Sequence, residues 1–348
     1  GKSADAAWHF YDVVLAFDHQ SHEAWLVSSG LPEKSDPARR RRSDERAALV
    51  LQALDRKETE AASGSVRIAR SSWRSNFSRQ SYMQAVGKVV EYILDGDIFQ
   101  ANIAQRFVAD LPDDFAPWLF YKALRQRNAA TFAAFLDHGA TIIASSSPER
   151  FLSLRGNSVE TRPIKGTVAR SPDAQEDAAL AHVLLTSEKD RAENLMIVDL
   201  MRNDLSRVCR PHSVLTPTLC GLESYASVHH LVSVVTGQLA EGRALVDLIA
   251  AAFPGGSITG APKLRAMEII TEIEKEARGV YCGSIGYIGF NGDFDSNIGI
   301  RTVSFRDGKA VFQAGGGITA LSDPAAEYQE TLDKAARIFS VVDEGGAS

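Results

Sequence analysis

The sequence predicts an α+β fold built from antiparallel sheets, with helices layered outside them. Strand-like runs and helical patterns alternate along the chain, and many strand pairs are joined by short turns rich in Gly, Asn and Asp, such as "FNGDF" (290–294) and "RDGKA" (306–310). Turns that short close hairpins; a parallel sheet needs long crossovers. With 348 residues and 45% hydrophobic side chains, the chain can bury one large core or two modest ones under such sheets.

Taken in order, residues 7–28 read as two strands around a polar turn. The Arg-rich run "ARRRRSDER" (38–46) follows Pro37 and is answered at once by acids, so it reads as a solvated loop and not as a phosphate-binding patch. A helical pattern covers 44–62, and "SGSVRIARSSWRSNFS" (63–78) reads as a linker. The expected boundary therefore leaves 1–77 as a hairpin plus polar connection and 78–348 as the main domain. Ser78 is a cap candidate for a helix over 78–97 that Gly96 ends. Strands are expected at 98–109, 141–146, 150–154, 157–161, 231–239, 284–290, 298–305 and 309–314. Helices are expected at 115–127, 173–207, 243–252, 262–277 and 323–342.

Composition excludes several function classes. A net charge of −6 leaves no basic footprint for nucleic acid. Cys209, Cys220 and Cys282 are odd in number and widely spaced, which fits neither a disulfide framework nor a zinc site, and a reducing cytoplasm is expected. The N-terminus lacks an apolar signal core, and the longest apolar stretches, such as "ALVDLIAAAF" (244–253), are too short to cross a bilayer.

Three features carry chemistry. In "TRPIKGT" (161–167), Lys165 lies between a proline and a glycine, with Arg162 just upstream. An amine is nucleophilic only when neutral, which needs desolvation or a neighbouring cation, and Arg162 is the expected cation. Glu149 follows a strand in "SSSPERFL" (145–152), where a half-buried carboxyl with a raised pKa suits proton donation to a leaving group. Singly, Lys165 also reads as a surface turn lysine and Glu149 as a partner for Arg150. The second feature is acidic: Asp190 and Glu193, then Glu327 and Glu330, are paired at i and i+3 on two expected helices, with Lys334 one turn on. Two such helices can hold one hard cation through oxygen ligands, although the same spacing describes ordinary helix faces. Third, "AFPGGSITGAPK" (252–263) and "QAGGGITALSDP" (313–324) read as glycine loops leading to helices whose first N–H groups attract an anion, or simply as turns. The first is not a Walker loop, because Gly260 is followed by Ala261, Pro262 and Lys263.

Together the segments "GDIFQANIAQRF", "SSSPERFLSL", "ETRPIKGT", "DRAENLMIVDLMRNDLSRVC", "VHHLVSVVTG", "FPGGSITGAPKLRAMEII", "GVYCGSIGYI", "SNIGIRTV" and "QAGGGITALSDPAAEYQETLDKA" occur in unbroken order over 96–335. This set resembles the chorismate-utilising enzymes, the family of anthranilate synthase component I and isochorismate synthase. The resemblance implies a layered α/β/β/α fold with two large, mostly antiparallel sheets, and 78–348 as the chorismate-binding domain. Within the family, the lysine of "PIKGT" resembles the branch that aminates chorismate at C4 on the way to p-aminobenzoate and folate.

The resemblance also implies roles. Lys165 would be a transient covalent nucleophile, Glu149 the general acid, and His230 a residue near the ring and its enolpyruvyl group. Glu193 and Glu330 would be Mg2+ ligands, with Asp190 and Glu327 behind them through water. Thr167, Ser257, Tyr281, Arg301, Gly315, Gly316, Gly317 and Lys334 would surround the substrate. Gln100 occupies the place where water-using relatives carry a lysine base, so nitrogen is the expected nucleophile. The implied nitrogen source is ammonia from a glutamine amidotransferase subunit, since the chain has no Cys-His-Glu module of its own.

Overall fold

The computed structural model describes residues 5–56, 63–225 and 228–343, and the chain divides into two compact units, Gly1–Ser63 and Gly64–Ser348. In the first unit, β1 (Val13–Asp18) and β2 (Glu23–Ser28) form an antiparallel hairpin that runs from Val13 opposite Ser28 to Asp18 opposite Glu23. Helix α1 (Asp36–Asp55) follows. The Arg-rich run expected as a loop is thus helical. Pro37 fits the first turn, whose N–H groups have no helical partner, and Arg42 and Arg46, one turn apart, both reach Asp12 at 3.0 Å. The expected helix over 44–62 begins earlier, and residues 57–62 lie outside the described residues.

The boundary falls at Ser63 and not at residue 77. Val66 and Ile68 are buried, Trp73 packs edge-on against Phe312 (5.1 Å) and Phe339 (5.6 Å), and the short β3 (Arg74–Ser75) pairs with the next strand. Apolar residues so sparsely set among Ser and Arg show no period in the sequence, so only tertiary packing reveals their role.

Thereafter come α2 (Arg79–Leu94), β4 (Gln100–Asp110), α3 (Pro117–Arg127), β5 (Phe132–Asp137), β6 (Thr141–Ser147), β7 (Arg150–Arg155), β8 (Ser158–Arg162) and β9 (Ile164–Ala169). They are followed by α4 (Ala174–Thr186), α5 (Glu188–Ser206), β10 (Leu215–Ser224), β11 (Val228–Gln238), α6 (Leu245–Ala252), β12 (Gly260–Ala261) and α7 (Lys263–Glu274). The chain closes with β13 (Gly286–Ile288), β14 (Phe294–Asn297), β15 (Thr302–Arg306), β16 (Lys309–Ile318) and α8 (Pro324–Asp343). One sheet has the order β12-β4-β16-β15-β6-β5 with β3 also on β4, and the other β10-β11-β8-β7-β14-β13 with β9 also on β11. Every strand pair in both is antiparallel.

The α+β class with two large antiparallel sheets is therefore as expected. Helices α2, α3, α7 and α8 cover the first sheet, where Phe107, Phe120, Phe312 and Phe339 anchor one core and Tyr82, Val86, Ile103 and Ile269 another. Helices α5 and α6 cover the second sheet, with Ile197, Met201, Leu205 and Leu248 packed on Leu152, Val159 and Val235. Among the described residues no helix is long and apolar enough to cross a membrane. The three cysteines are free and buried.

Two departures from expectation position the site. The single helix expected over 173–207 is two, because Ser187 ends α4 and its Oγ accepts the Asp190 N–H (3.3 Å) to start α5. Asp190 and Glu193 consequently lie in the first two turns of α5. The glycines 315–317, expected in a loop, belong to β16 and pair with β4, Gly315 opposite Ala104 and Gly317 opposite Asn102. Gly315 is required by close approach, since a Cβ there would lie 2.3 Å from the Ile103 carbonyl oxygen.

Candidate active site

Lys165 belongs to β9, a strand that the sequence hides because Pro163 and Gly166 interrupt it. Pairing with β11 supplies what propensity lacks: Thr167 lies opposite His230 and Lys165 opposite Leu231, leaving Gly166 as an extra residue in a bulge. Gly166 has φ +75°, and a Cβ on it would meet Leu184 Cδ1 at 2.7 Å and Asp190 Cγ at 3.0 Å. Gly166→Ala is expected to cost about 1–3 kcal/mol, from left-handed strain and crowding together. A urea unfolding midpoint reads the effect, and an unchanged midpoint contradicts it.

The bulge aims the lysine inward. Its Nζ donates to the Ser257 carbonyl oxygen (3.4 Å) and lies 3.8 Å from Glu193 Oε2. Arg162, expected to be the neighbouring cation, is not. It pairs instead with Glu223, with Glu160 3.8 Å away. Lysine and arginine thus have separate carboxylate partners.

Glu149 is more deeply placed than a half-buried carboxyl, with 6% exposure. It lies between β6 and β7 and is fixed through its backbone, since its N–H donates to Ser147 Oγ (3.4 Å) and its carbonyl accepts from Ile298 N–H (3.0 Å). Arg150 is not its partner, being held by Asp295 (2.9 Å) and Glu160 (2.7 Å). Burial raises the Glu149 pKa; the Ser257 side chain, Lys165, the Ile164 backbone and Arg301 oppose that rise without cancelling it. A carboxyl so placed stays protonated further up the pH scale than a surface glutamate, as a proton donor requires.

His230 projects from β11, and its Nδ1 shares a hydrogen bond with Thr167 Oγ1 (2.8 Å). Burial, then Arg301 and Arg337, push its pKa down to about 4. In an NMR titration its imidazole is expected to stay neutral from pH 8 to pH 5 and charge only near 4; a midpoint near the ordinary 6.5 contradicts this environment. Arg301 has a left-handed backbone (φ 49°), and burial, with Arg337 nearby, pushes its pKa down to about 10.

The floor of the site comes from the start of β4 and the segment that follows α7. Gln100 is buried with its Oε1 unpartnered, and its Nε2 lies 1.9 Å from where a Gly317 Cβ would stand. Tyr281 is buried; burial first, with Cys282 nearby, raises its pKa. Arg278, which sequence reasoning missed, clamps this region. It donates to the carbonyls of Ile258 (2.9 Å) and Asn102 (2.6 Å) and pairs with Glu274 (2.6 Å). An Arg–Glu pair at i and i+4 was the signal available in the sequence. A cavity of about 550 Å3 opens between the end of α7 and segment 275–283, lined by Tyr281 and Cys282 but by none of Lys165, Glu149, His230 or the acids. It sits beside the chemistry and not on it.

The four acids do converge, from α5 and from α8. A Cβ on Gly316 would stand 3.1 Å from Glu327 Oε2 and 3.2 Å from Glu330 Oε1, so glycine lets both carboxylates approach β16 without shifting. Lys334 bridges Glu330 (2.7 Å) and the Gly315 carbonyl (2.8 Å), and Lys189 lies 3.7 Å from Glu327. Burial raises the pKa of Glu193 even against Lys165 and Lys189, and Asp190 and Glu330 add to the rise. It also raises that of Glu327, whereas Lys334 holds Glu330 low against its own burial. Among the described residues no three His, Cys, Asp or Glu side chains stand closely enough to grip an ion as they are, and lysines pair with Glu193, Glu327 and Glu330. In donor chemistry the set fits a hard cation: oxygen ligands only, with Glu327 and Glu193 largely desolvated and Glu330 half-exposed, and mutually repelling without positive charge between them.

Residues 1–340 match the chorismate binding enzyme family. Two relatives described as aminodeoxychorismate synthase component 1 are similar over nearly the whole chain. The protein from Klebsiella aerogenes is 47% identical over 96% of this chain and 70% of its own length, and that from Escherichia coli 46% over 98% and 71%. Among solved structures, the crystal structure of anthranilate synthase component I from Streptococcus pneumoniae superposes with a TM-score of 0.82 at 35% identity, covering 94% of this chain and 72% of that one.

Proposed function

The chain belongs to the chorismate binding enzyme family and is an enzyme acting on chorismate, and on that premise we propose that it is the synthase component that aminates chorismate to 4-amino-4-deoxychorismate. The observation that carries this reading is a lysine whose amine faces the same Ser257 segment as a buried, proton-retaining glutamate. Relatives named for this activity, at 46–47% identity, support it.

In the proposed reaction, neutral Lys165 Nζ forms a bond to C2 of chorismate. The ring double bonds shift, the C4–O bond breaks, and the hydroxyl leaves as water with the proton of Glu149. Ammonia then adds at C4, the double bonds return, and the C2–N bond breaks, so Lys165 leaves as a neutral amine. Glu149, now a carboxylate, takes the surplus proton from the new C4 ammonium and is ready for another turnover. Atoms and charge balance over the two steps: chorismate and ammonia become product and water. The ammonium of Lys165, paired with Glu193 at 3.8 Å, must first give one proton to solvent, which leaves Glu193 to find its counter-charge elsewhere; thereafter each turnover returns the neutral amine.

Arg301, Tyr281, Lys334 and the backbone of Gly315 to Gly317 would hold the two substrate carboxylates, and Ser257 and Thr167 would bound the ring beside neutral His230. Glu193 and Glu330 would hold Mg2+, with Asp190 and Glu327 behind them through water; when bound, the ion neutralises a substrate carboxylate and fixes the ring. Gln100 in place of a lysine base suits nitrogen over water as the nucleophile. "Component 1" in the relatives' names supports a partner, and a glutamine amidotransferase is the chemistry that supplies ammonia. Free, buried cysteines suit a reducing cytoplasm.

The likeness to an anthranilate synthase structure makes that reaction the specific rival. Purified chain with chorismate, Mg2+ and ammonium, chromatographed with and without added aminodeoxychorismate lyase, separates the two. The proposal expects p-aminobenzoate only when lyase is present; fluorescent anthranilate, or isochorismate, overturns it.

A further inference from the structure

Lys189 is oddly placed for a helix residue. It occupies the second position of α5, where the partial positive charge of the helix N-terminus disfavours a cation, and Glu188 and Asp190 on either side are the residue types that position favours. Its ammonium nevertheless turns across to α8 and lies 3.7 Å from Glu327 Oε1, a carboxylate only 3% exposed. The negative charges that face it are Glu327, Glu193, Glu330 and Asp190, the same four acids proposed to hold the divalent ion.

Three lysines share those acids, but they are held differently. Lys165 is 13% exposed and also bound to the Ser257 carbonyl. Lys334 is fixed by two short contacts, 2.7 Å to Glu330 and 2.8 Å to the Gly315 carbonyl. Lys189 is 51% exposed, against 49% for Lys334, but its carboxylate contact is 3.7 Å against 2.7 Å, so it withdraws to water without breaking a contact of hydrogen-bond length. A four-carbon ammonium stem on a helix surface is suited to that exchange.

We propose that Lys189 is a displaceable counter-cation, which balances the acid cluster when no divalent ion is bound and competes with that ion for the cluster. The inference rests on the proposed metal site and adds to it. The ion enters by replacing an ammonium, which makes its affinity weaker, and the ion-free protein more stable, than the acids alone would give. Four clustered carboxylates lacking this charge, Glu327 among them buried, would repel one another, and the α5–α8 junction would loosen.

The test is a titration of the full chain with Mn2+ as the probe for Mg2+, followed by loss of the free-ion electron paramagnetic resonance signal. Wild type, Lys189→Met, Lys189→Arg and Glu330→Gln are compared. Lys189→Met is expected to bind Mn2+ about 3- to 10-fold more tightly, by analogy with a single partly exposed ion pair, and this gain should shrink at high salt. Lys189→Arg should remain close to wild type. In the absence of metal, Lys189→Met should melt at a lower temperature, and saturating Mn2+ should close the gap. Binding that Glu330→Gln abolishes but Lys189→Met leaves equal or weaker overturns the inference while the metal site stands. Mn2+ binding indifferent to Glu330→Gln, or absent from wild type, overturns the metal site and this inference with it.

Discussion

Lys165→Ala is expected to lower ammonium-dependent turnover of chorismate by at least about three orders of magnitude, roughly 4 kcal/mol of transition-state stabilisation, while chorismate affinity changes less than about tenfold. The split follows from the role. A covalent handle acts only after the ring is bound, so its loss appears in kcat and not in KM. Because Lys165 also faces Glu193 at 3.8 Å, removing its charge disturbs the acids. Lys165→Arg answers that concern: it keeps a cation in place but remains protonated at any working pH, so it too should be inactive. An Arg variant retaining more than a few per cent of turnover would mean that the positive charge, and not the lone pair, is what the site needs.

Glu149→Gln carries the second large effect. An amide cannot donate the proton that the departing hydroxyl takes, and losses of about 10^2- to 10^4-fold are expected for a missing general acid. The pH profile has a definite sign. Burial raises the Glu149 pKa, so wild-type activity should fall as pH rises through that raised value, and the residual activity of Glu149→Gln should lack this limb. Stability runs alongside. A carboxyl with a raised folded-state pKa binds more protons folded than unfolded between the two values, so its contribution is full below the unfolded pKa and is lost as pH rises through the folded one. At pH 8 the variant should therefore be at least as stable as wild type. Lower stability there, together with lower activity, would point to a structural role for the residue.

How much of this was legible in the chain depends on what each residue needs from afar. The helices of the main unit read well because their apolar period and caps are local, as at Ser78, whose Oγ accepts the Ser81 N–H at 3.1 Å. Strands β9 and β10 did not: Pro163, Gly166 and Pro217 break their patterns, and it is pairing with β11 that makes them strands. The site followed the same rule. Lys165, Glu149, the four acids and the glycines stand out by motif, and the structure sets Lys165 of β9 against Glu193 of α5 and Gly316 of β16 against Glu327 and Glu330 of α8. Arg162 was misjudged because its distance along the chain is short while its partner, Glu223, is 61 residues away. Arg278 and Lys189 do not stand out in the sequence because their partners lie on other elements, which a linear pattern does not display.

The central claim is a covalent bond between Lys165 and the ring, and it is tested most directly by mass spectrometry of the protein incubated with chorismate and Mg2+ without ammonia. An adduct with the mass of chorismate less one water, on the peptide containing Lys165 and cleared by added ammonium, is the predicted result. Ammonium-dependent turnover by a chain that never carries such an adduct, and that survives Lys165→Ala, would contradict the account.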